Sequence, residues 1–348
     1  MSTTPNEPSL SAPGVWTLPP QPLSTSQVVN RLFELLRQNF RLFLTIGIVP
    51  FGAIFLFAIP YFIAVFRISN PLHPELGVTP TDPSYYVLLG GSLLLLMVAS
   101  IIFYGLFESA ATWAALRVDA GVTATASQAW QVAWNQAGRS IWLMILRSLV
   151  AFVPFYLAFL LVVGILAGVA GTGGFNAHPG AALLAIPLAI LLGVGGLVYC
   201  ILAVIWLGLA YPASVTEDLT AWKAIRRSVV LTRGARGRIF LAGFVLYLIG
   251  MAVFMVFEIV AAILIFLGIF LFAALHLAPV YGYVGIGLAV LVFAPLLLVL
   301  TTLLYAMLPL YLSVIYRDQR RLEQLWIDAS APTTELPALD ASTENPQA

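Results

Sequence analysis

The stretch EDLTAWKAIRRSVVLTRGARGR, residues 217–238, is the most highly charged run in an otherwise apolar chain. It lies between two hydrophobic blocks that are each long enough to cross a bilayer. As a helix, it has an apolar face that consists of Trp222, Ile225 and Val229. Its opposite face is basic and consists of Lys223, Arg226 and Arg227. This pattern is typical of a helix that lies flat on an anionic membrane surface.

The composition excludes a soluble globular protein. The chain has 348 residues, of which 61% are hydrophobic and only 9% are charged, whereas a soluble domain carries roughly 25% charged residues. Such a chain cannot cover a water-facing surface, so we expect an all-α integral membrane protein. The single cysteine, Cys200, excludes an intrachain disulfide and a CxxC metal or redox site. No cofactor is expected.

Six apolar blocks predict six transmembrane helices. The expected spans are about residues 42–66, 85–116, 141–170, 181–211, 239–275 and 288–316. They form three consecutive hairpins, each preceded by a polar segment that begins near Ser24, Thr125 or Leu219. The spacing of about 100 residues is compatible with an internal threefold repeat or with hydropathy symmetry alone.

The three polar segments are predicted to be amphipathic helices at the membrane interface. Ser24 with Gln27, and Thr125 with Gln128, have the spacing of a capping box. The apolar stripe of the first segment is predicted to be Val29, Leu32, Phe33 and Leu36. That of the second is predicted to be Trp130, Ala133, Trp134 and Ala137.

The two ends of the chain have the composition of disordered tails. Residues 1–23 are rich in Pro, Ser and Thr and lack the basic and apolar regions of a signal peptide. Residues 329–348 are acidic and polar. The membrane domain is therefore expected to occupy residues 24–328.

The basic residues predict the orientation in the membrane. Of the 16 lysines and arginines, Arg67 alone falls in a predicted outward loop. By the positive-inside rule, both termini and all three amphipathic segments should be cytoplasmic. We expect a multi-pass protein of the cell (inner) membrane.

Three stretches of the sequence carry a family resemblance. The first is the opening stretch, in which the matching residues are Glu217, Ala224, Arg227-Ser228 and Leu231-Thr232-Arg233-Gly234. The segments at residues 32–40 and 315–320 agree as an entry helix and a closing Tyr-x-Asp-x-Arg exit. Together they resemble the membrane-domain family associated with glycerophosphoryl diester phosphodiesterases. The resemblance implies a multi-pass membrane domain of undefined activity. The soluble phosphodiesterase barrel has no counterpart here, because the chain has no long polar region.

Charged residues inside the predicted spans are the candidate sites within the membrane. Glu108 and Arg147 lie at similar depths in the second and third spans, about 12 Å and about 10 Å from the cytoplasmic ends. They either pair with each other or extend separately to the cytoplasmic interface. Glu258, in the fifth span, has no basic residue in its own block. It either couples a proton or cation or is a protonated group bonded to a neighbouring helix.

The sequence favours a non-catalytic function. It contains no HExxH, GxSxG or phosphate-binding loop. The histidines His73, His178 and His276 lack metal-ligand spacing, so no metal site is expected. The predicted function is to organise anionic lipid, or a membrane or cytoplasmic protein partner, at the cytoplasmic face; nucleic acid is not an expected ligand. The binding residues are predicted to be Trp222, Lys223, Arg226, Arg227, Arg233, Arg236 and Arg238. The alternative is a small-molecule or lipid transporter that uses an intramembrane carboxylate, Glu258.

Overall fold

The computed structural model describes residues 21–68, 83–171, 179–274 and 279–330. Within these ranges the regular structure consists of ten helices. They are α1 (Thr25–Gln38), α2 (Phe40–Ile68), α3 (Pro83–Asp119), α4 (Ala126–Asn135), α5 (Ala137–Gly171), α6 (Pro179–Leu207), α7 (Ala210–Thr216), α8 (Ala221–Leu231), α9 (Arg236–Ala274) and α10 (Pro279–Ser330). Most of both predicted tails lies outside the described residues.

Six of these helices are long and apolar enough to cross a membrane. Their candidate spans are Phe40–Val65, Tyr86–Asp119, Ala137–Gly168, Leu183–Thr216, Arg236–Gly268 and Val292–Leu325. The prediction of an all-α membrane protein with six such helices is therefore confirmed. The spans extend several residues beyond the predicted ones at their polar ends, because the helices continue through the charged residues there.

Helix α3 occupies the centre of the bundle. It packs along α2 and also contacts α5 and α10. Helix α5 packs most extensively on α6, whereas α9 packs mainly on α10 and leaves most of its length exposed. The buried residues concentrate toward one end of the bundle, where Leu32, Phe43, Phe107 and Leu310 are fully enclosed.

Ion pairs gather the charged helix ends at that same end, which we call the polar end. Asp119, at the end of α3, pairs with Arg31 of α1 at 3.1 Å and with Arg317 of α10 at 2.6 Å. Arg238, at the start of α9, pairs with Asp318 of α10 at 2.7 Å. Because the ends of helices far apart in sequence meet here, the ion pairs connect the whole bundle at one level.

The short helices α1 and α4 begin as predicted, and each buries one face against the bundle. Both capping boxes are present, at Ser24 and at Thr125. The buried residues are Val28, Leu32 and Leu35 in α1, and Ala129 and Ala133 in α4. Of the predicted stripes, Leu32 and Ala133 are buried, whereas Phe33 and Trp134 are exposed. That these exposed side chains face lipid stays a prediction. The helices pack on α10 and α3, respectively, so small or centrally placed apolar residues face the bundle and these aromatic side chains point outward.

Two helix pairs are fastened at the polar end in the same way. The Tyr211 hydroxyl donates to the Ser140 carbonyl, and the Tyr311 hydroxyl donates to the Ile239 carbonyl, across 71 and 72 residues. The residue before each carbonyl is an arginine, Arg139 or Arg238, which pairs with an aspartate seven residues after the tyrosine. This recurrence supports an internal repeat that includes the second and third helix pairs.

Candidate functional site

The basic stretch of the sequence folds into helix α8 and the turn before α9. Asp218, just before it, adopts a left-handed backbone with φ of 50°, and Gly234 in the following turn has φ of 81°. A left-handed residue reverses the chain direction sharply and is easily adopted by glycine and, among other residues, by Asp or Asn. These two reversals place α8 against α5, α6 and α7.

Helix α8 buries a face of small and aliphatic residues against the bundle. Its buried residues are Ala221, Ala224, Ile225, Ser228 and Leu231. The Ser228 hydroxyl donates to the Trp206 carbonyl at 2.6 Å, which ties α8 to α6. Trp222, predicted to face the membrane surface, is 49% exposed. Close packing against the bundle requires small side chains, so the large indole lies outside, beneath the Arg226 guanidinium at 5.4 Å.

Arg227 points into the protein. Its guanidinium pairs with Glu217 at 3.2 Å and with Glu323 of α10 at 2.6 Å. The hydrogen bond to Glu323 is the main reason that the pKa of Arg227 lies above its usual value. Glu217 also accepts a hydrogen bond from the Tyr316 hydroxyl at 2.8 Å. Arg227 thus fastens α8 to the end of α10.

Arg238 is also engaged within the protein. It pairs with Asp318, whose side chain is 2% exposed, and it donates to the Leu23 carbonyl at 2.8 Å. Asp318 in turn accepts a hydrogen bond from the Leu23 backbone at 3.4 Å. The pair therefore anchors the chain just before α1 against α9 and α10.

The other predicted binding residues of this stretch face outward. Lys223, Arg226, Arg233 and Arg236 are exposed, and none has an ion pair within the described residues. Arg236 lies over the Trp206 ring at 5.3 Å. We call these four cations, together with Trp222, the basic patch. The carboxylates of the polar end with described side chains are each paired within the bundle; they are Glu34, Asp119, Glu217, Asp218, Asp318 and Glu323. The patch therefore carries uncompensated positive charge.

The intramembrane pair predicted between Glu108 and Arg147 is confirmed. An Arg147 Nη1–H donates to Glu108 Oε1, and Glu108 is fully buried, which excludes its extension to the interface. Arg147 also lies over the Tyr211 ring at 5.9 Å. Glu108 Oε2 is buried and has no hydrogen-bond partner among the described residues. The bundle thus holds a charged pair with unused hydrogen-bonding capacity.

Two of the cavities that described residues line lie among the spans, and Glu258 lines neither of these two. The larger, about 620 Å³, is enclosed by α2, α3, α5, α6 and α10 and reaches Arg147. The smaller, about 380 Å³, lies between α9 and α10 and is lined almost entirely by apolar atoms. Glu258 is exposed on α9 and makes no hydrogen bond within the described part of the chain, so the structure does not show the predicted bond to a neighbouring helix.

The described residues contain no group of three or more His, Cys, Asp and Glu side chains that could hold a metal ion. His73, His178 and His276 lie outside the described residues.

Comparison of the sequence with protein-family models found no match, and comparisons with curated proteins and with solved structures found none either.

Sequence reasoning missed the acidic partners that divide the basic stretch into two sets. Glu217, Asp318 and Glu323 hold Arg227 and Arg238, yet in sequence Asp318 and Glu323 lie 80 or more residues beyond the stretch. One signal was available, because Tyr211 with Asp218 and Tyr311 with Asp318 recur at a spacing of 100 residues.

Proposed function

We propose that this protein is a non-catalytic, six-span protein of the cell (inner) membrane that binds anionic lipid headgroups through the basic patch. Its six spans form three hairpins, each introduced by an amphipathic helix at the cytoplasmic interface. The observation that supports the proposal is the division of charge at the polar end. The carboxylates of the polar end with described side chains are each paired with an arginine, while Lys223, Arg226, Arg233 and Arg236 face outward without carboxylate partners.

The chemistry of the patch suits a lipid surface. Each basic residue near an anionic leaflet contributes about 1 kcal/mol of attraction. An exposed tryptophan beside these cations matches the preference of indole rings for the headgroup level. Trp222 and Arg226 supply such an adjacent pair. A protein partner with an acidic surface is the competing ligand, and the experiment below separates the two.

The proposal includes the family layout implied by the resemblance. The residues that carry it include Arg227, which joins α8 to α10 through Glu323, and Asp318, which joins α10 to α9 through Arg238. Glu217 is a second partner of Arg227. Their role in this chain is to fasten the bundle, which is compatible with a shared membrane-domain architecture. The resemblance does not imply a chemical reaction for this chain.

The experiment is a titration of the purified full chain with phosphatidylglycerol or phosphatidylcholine, read by native mass spectrometry. The test variant is K223Q/R226Q/R233Q. The matched control is R37Q/R41Q/R117Q, which also removes three exposed charges, one of them over a tryptophan ring. We expect phosphatidylglycerol binding to weaken about fivefold per removed charge in the test variant. In the control it should change less than about threefold, because those charges lie outside the patch.

Equal weakening in both variants would show that net charge, not the patch, attracts the lipid. If phosphatidylglycerol binding is unchanged in the test variant while an acidic protein co-purifies only with the wild type, the lipid proposal is wrong and the protein-partner hypothesis replaces it.

The orientation has its own test. In a Cys200→Ala background, Lys223→Cys should react with a membrane-impermeant maleimide only after the cells are permeabilised. Reaction in intact cells would place the patch on the outer side and contradict the cytoplasmic assignment.

The transporter hypothesis requires a polar cavity that reaches Glu258. Glu258 lines neither of the two cavities described above, so they do not support that route. The cavity at Arg147 is the better basis for any ligand inside the membrane.

A further inference from the structure

The larger cavity has the size and composition of a site for an amphiphile. Its volume of about 620 Å³ falls within the range of roughly 300–1,000 Å³ that is usual for small-molecule sites. Along α2 its lining extends from Phe51 to Phe62, a length of about 16 Å at 1.5 Å per residue. Most of this lining is aromatic or aliphatic. A single acyl chain suits an apolar space of this length and volume.

The polar groups of the cavity are gathered toward the end nearer the polar end of the bundle. Arg147 lies there with the aromatic hydroxyl groups of Tyr104 and Tyr305. The Arg147 guanidinium donates through Nη1 to Glu108. Its Nε and Nη2 donors have no acceptor among the described residues and are not enclosed. They form one free edge of the guanidinium.

The cavity opens on the side of the bundle that faces lipid. Four of its lining residues are exposed at the bundle surface: Phe62, Phe152, Val204 and Tyr305. A ligand can therefore enter sideways from a bilayer without crossing the polar end. This route favours a molecule that already dissolves in the membrane.

From this geometry we infer that the cavity binds a single-chain amphiphile with a carboxylate head group, which Arg147 receives on its free edge while the acyl chain fills the apolar part. Two adjacent N–H donors in one plane match the two oxygens of a carboxylate. Arg147 is the one cation that lines the cavity within the described residues. Because Glu108 already pairs with Arg147, a carboxylate leaves the site with one net negative charge, whereas a phosphate dianion would leave two.

Glu108 sets the strength of this site. Its carboxylate occupies the other side of Arg147 and repels a second anion. Occupation of the cavity is thus opposed by Glu108 and supported by Arg147. The two residues should have opposite effects on binding when each is neutralised, an outcome that a purely structural ion pair does not produce.

The site is tested with the full chain in discs of neutral phosphatidylcholine. The probe is a photoreactive fatty acid with a diazirine on its chain, and labelled peptides are identified by mass spectrometry. In the wild type we expect labelling on the cavity faces of α2 and α5. Oleate should compete, whereas oleyl alcohol at the same mole fraction should not.

Substitutions of the two paired residues then show which of them favours binding and which opposes it. Arg147→Gln should reduce labelling about tenfold or more, because it removes the charged donor. Glu108→Gln, which keeps the shape and an acceptor for Arg147, should increase labelling about tenfold. Ser100→Phe places a ring in the cavity without touching the pair and should reduce labelling.

The inference fails if oleate and oleyl alcohol compete equally in the wild type, or if the labels map outside the cavity. A decrease of labelling in Glu108→Gln with an unchanged melting temperature also contradicts it. Stronger competition by oleyl phosphate than by oleate overturns the carboxylate assignment. If Arg147→Gln does not fold, the competition experiments on the wild type and the labelling of Ser100→Phe still test the inference. None of these outcomes depends on lipid binding at the basic patch.

Discussion

Arg227 and Arg238 belong to the same basic stretch as Lys223, Arg226, Arg233 and Arg236, yet the two sets have opposite surroundings. The first two arginines reach into the bundle and pair with Glu217, Glu323 and Asp318. The other four cations face outward and have no carboxylate partner in the described residues. Two of them lie over indole rings, Arg226 over Trp222 and Arg236 over Trp206.

The comparison separates two uses of positive charge in one segment. A buried, paired arginine holds helices together, and removing one partner leaves an unpaired charge that is costly. An exposed cation contributes little to folding but remains available to an external anion. A count of basic residues, which serves well for predicting orientation, cannot distinguish these uses because it ignores where the carboxylates lie.

The largest effect on stability is expected from Asp318→Asn. The substitution preserves shape but leaves Arg238 without its charged partner in a largely buried position. We expect the unfolding free energy to fall by about 3 kcal/mol, within the usual range for breaking a buried pair. Titration with a denaturing detergent, followed by circular dichroism, measures it. An unchanged midpoint would mean that Arg238 does not fasten the bundle.

Arg227→Gln is expected to lower the unfolding free energy by a smaller amount. Arg227 contacts two carboxylates, but it and they are partly exposed, so solvent already screens the pairs. A decrease of about 1–2 kcal/mol is the expected result in the same assay, as is usual for charge-assisted hydrogen bonds. Glu323→Gln should reproduce part of it. A loss of unfolding free energy as large as that of Asp318→Asn would show that the difference in burial does not set the strengths of the two pairs.

Asp218→Asn is the matched control for Asp318→Asn, because the two aspartates occupy equivalent positions in the second and third helix pairs. Asp218 pairs with Arg139 at the equivalent position of the second helix pair, but its side chain is 85% exposed. Asparagine also accepts the left-handed backbone at this position. The expected cost is below about 1 kcal/mol, typical of a surface pair. Equal costs at Asp218 and Asp318 would show that burial does not set the strength of the fastening.

The smallest stability effect is expected from Lys223→Gln with Arg226→Gln. Both side chains are exposed and lack carboxylate partners, so the unfolding free energy should change by less than about 0.5 kcal/mol. The same double variant should lose lipid affinity, which is the reverse of the Asp318→Asn pattern. Destabilisation in lipid-free detergent would place these cations in the structural set instead.

Much of the fold could be predicted because bilayer length and hydrophobic content strongly constrain the chain. The six long apolar helices, both capping boxes and the Glu108–Arg147 pair were all visible in local patterns or in the depth of residues within a span. The capping boxes succeeded because a cap depends on residues three positions apart.

The residues that face the bundle could not be predicted from hydrophobicity alone. Helix α8 packs against protein, where alanine and serine permit close approach, whereas the larger Trp222 is exposed. That Trp222 contacts the membrane surface stays a prediction. The partners of Arg227 and Arg238 were likewise hidden, because Glu323 and Asp318 approach them only after α10 folds back along α9.

The lipid shell of the protein in its own membrane tests the central claim most directly. Wild type, K223Q/R226Q/R233Q and the control R37Q/R41Q/R117Q are extracted with a membrane-solubilising polymer, and the ratio of anionic to zwitterionic phospholipid is measured in each disc. We expect enrichment of anionic lipid over the bulk membrane around the wild type and the control. The patch variant should return to the bulk ratio. Equal enrichment around all three proteins would contradict the account.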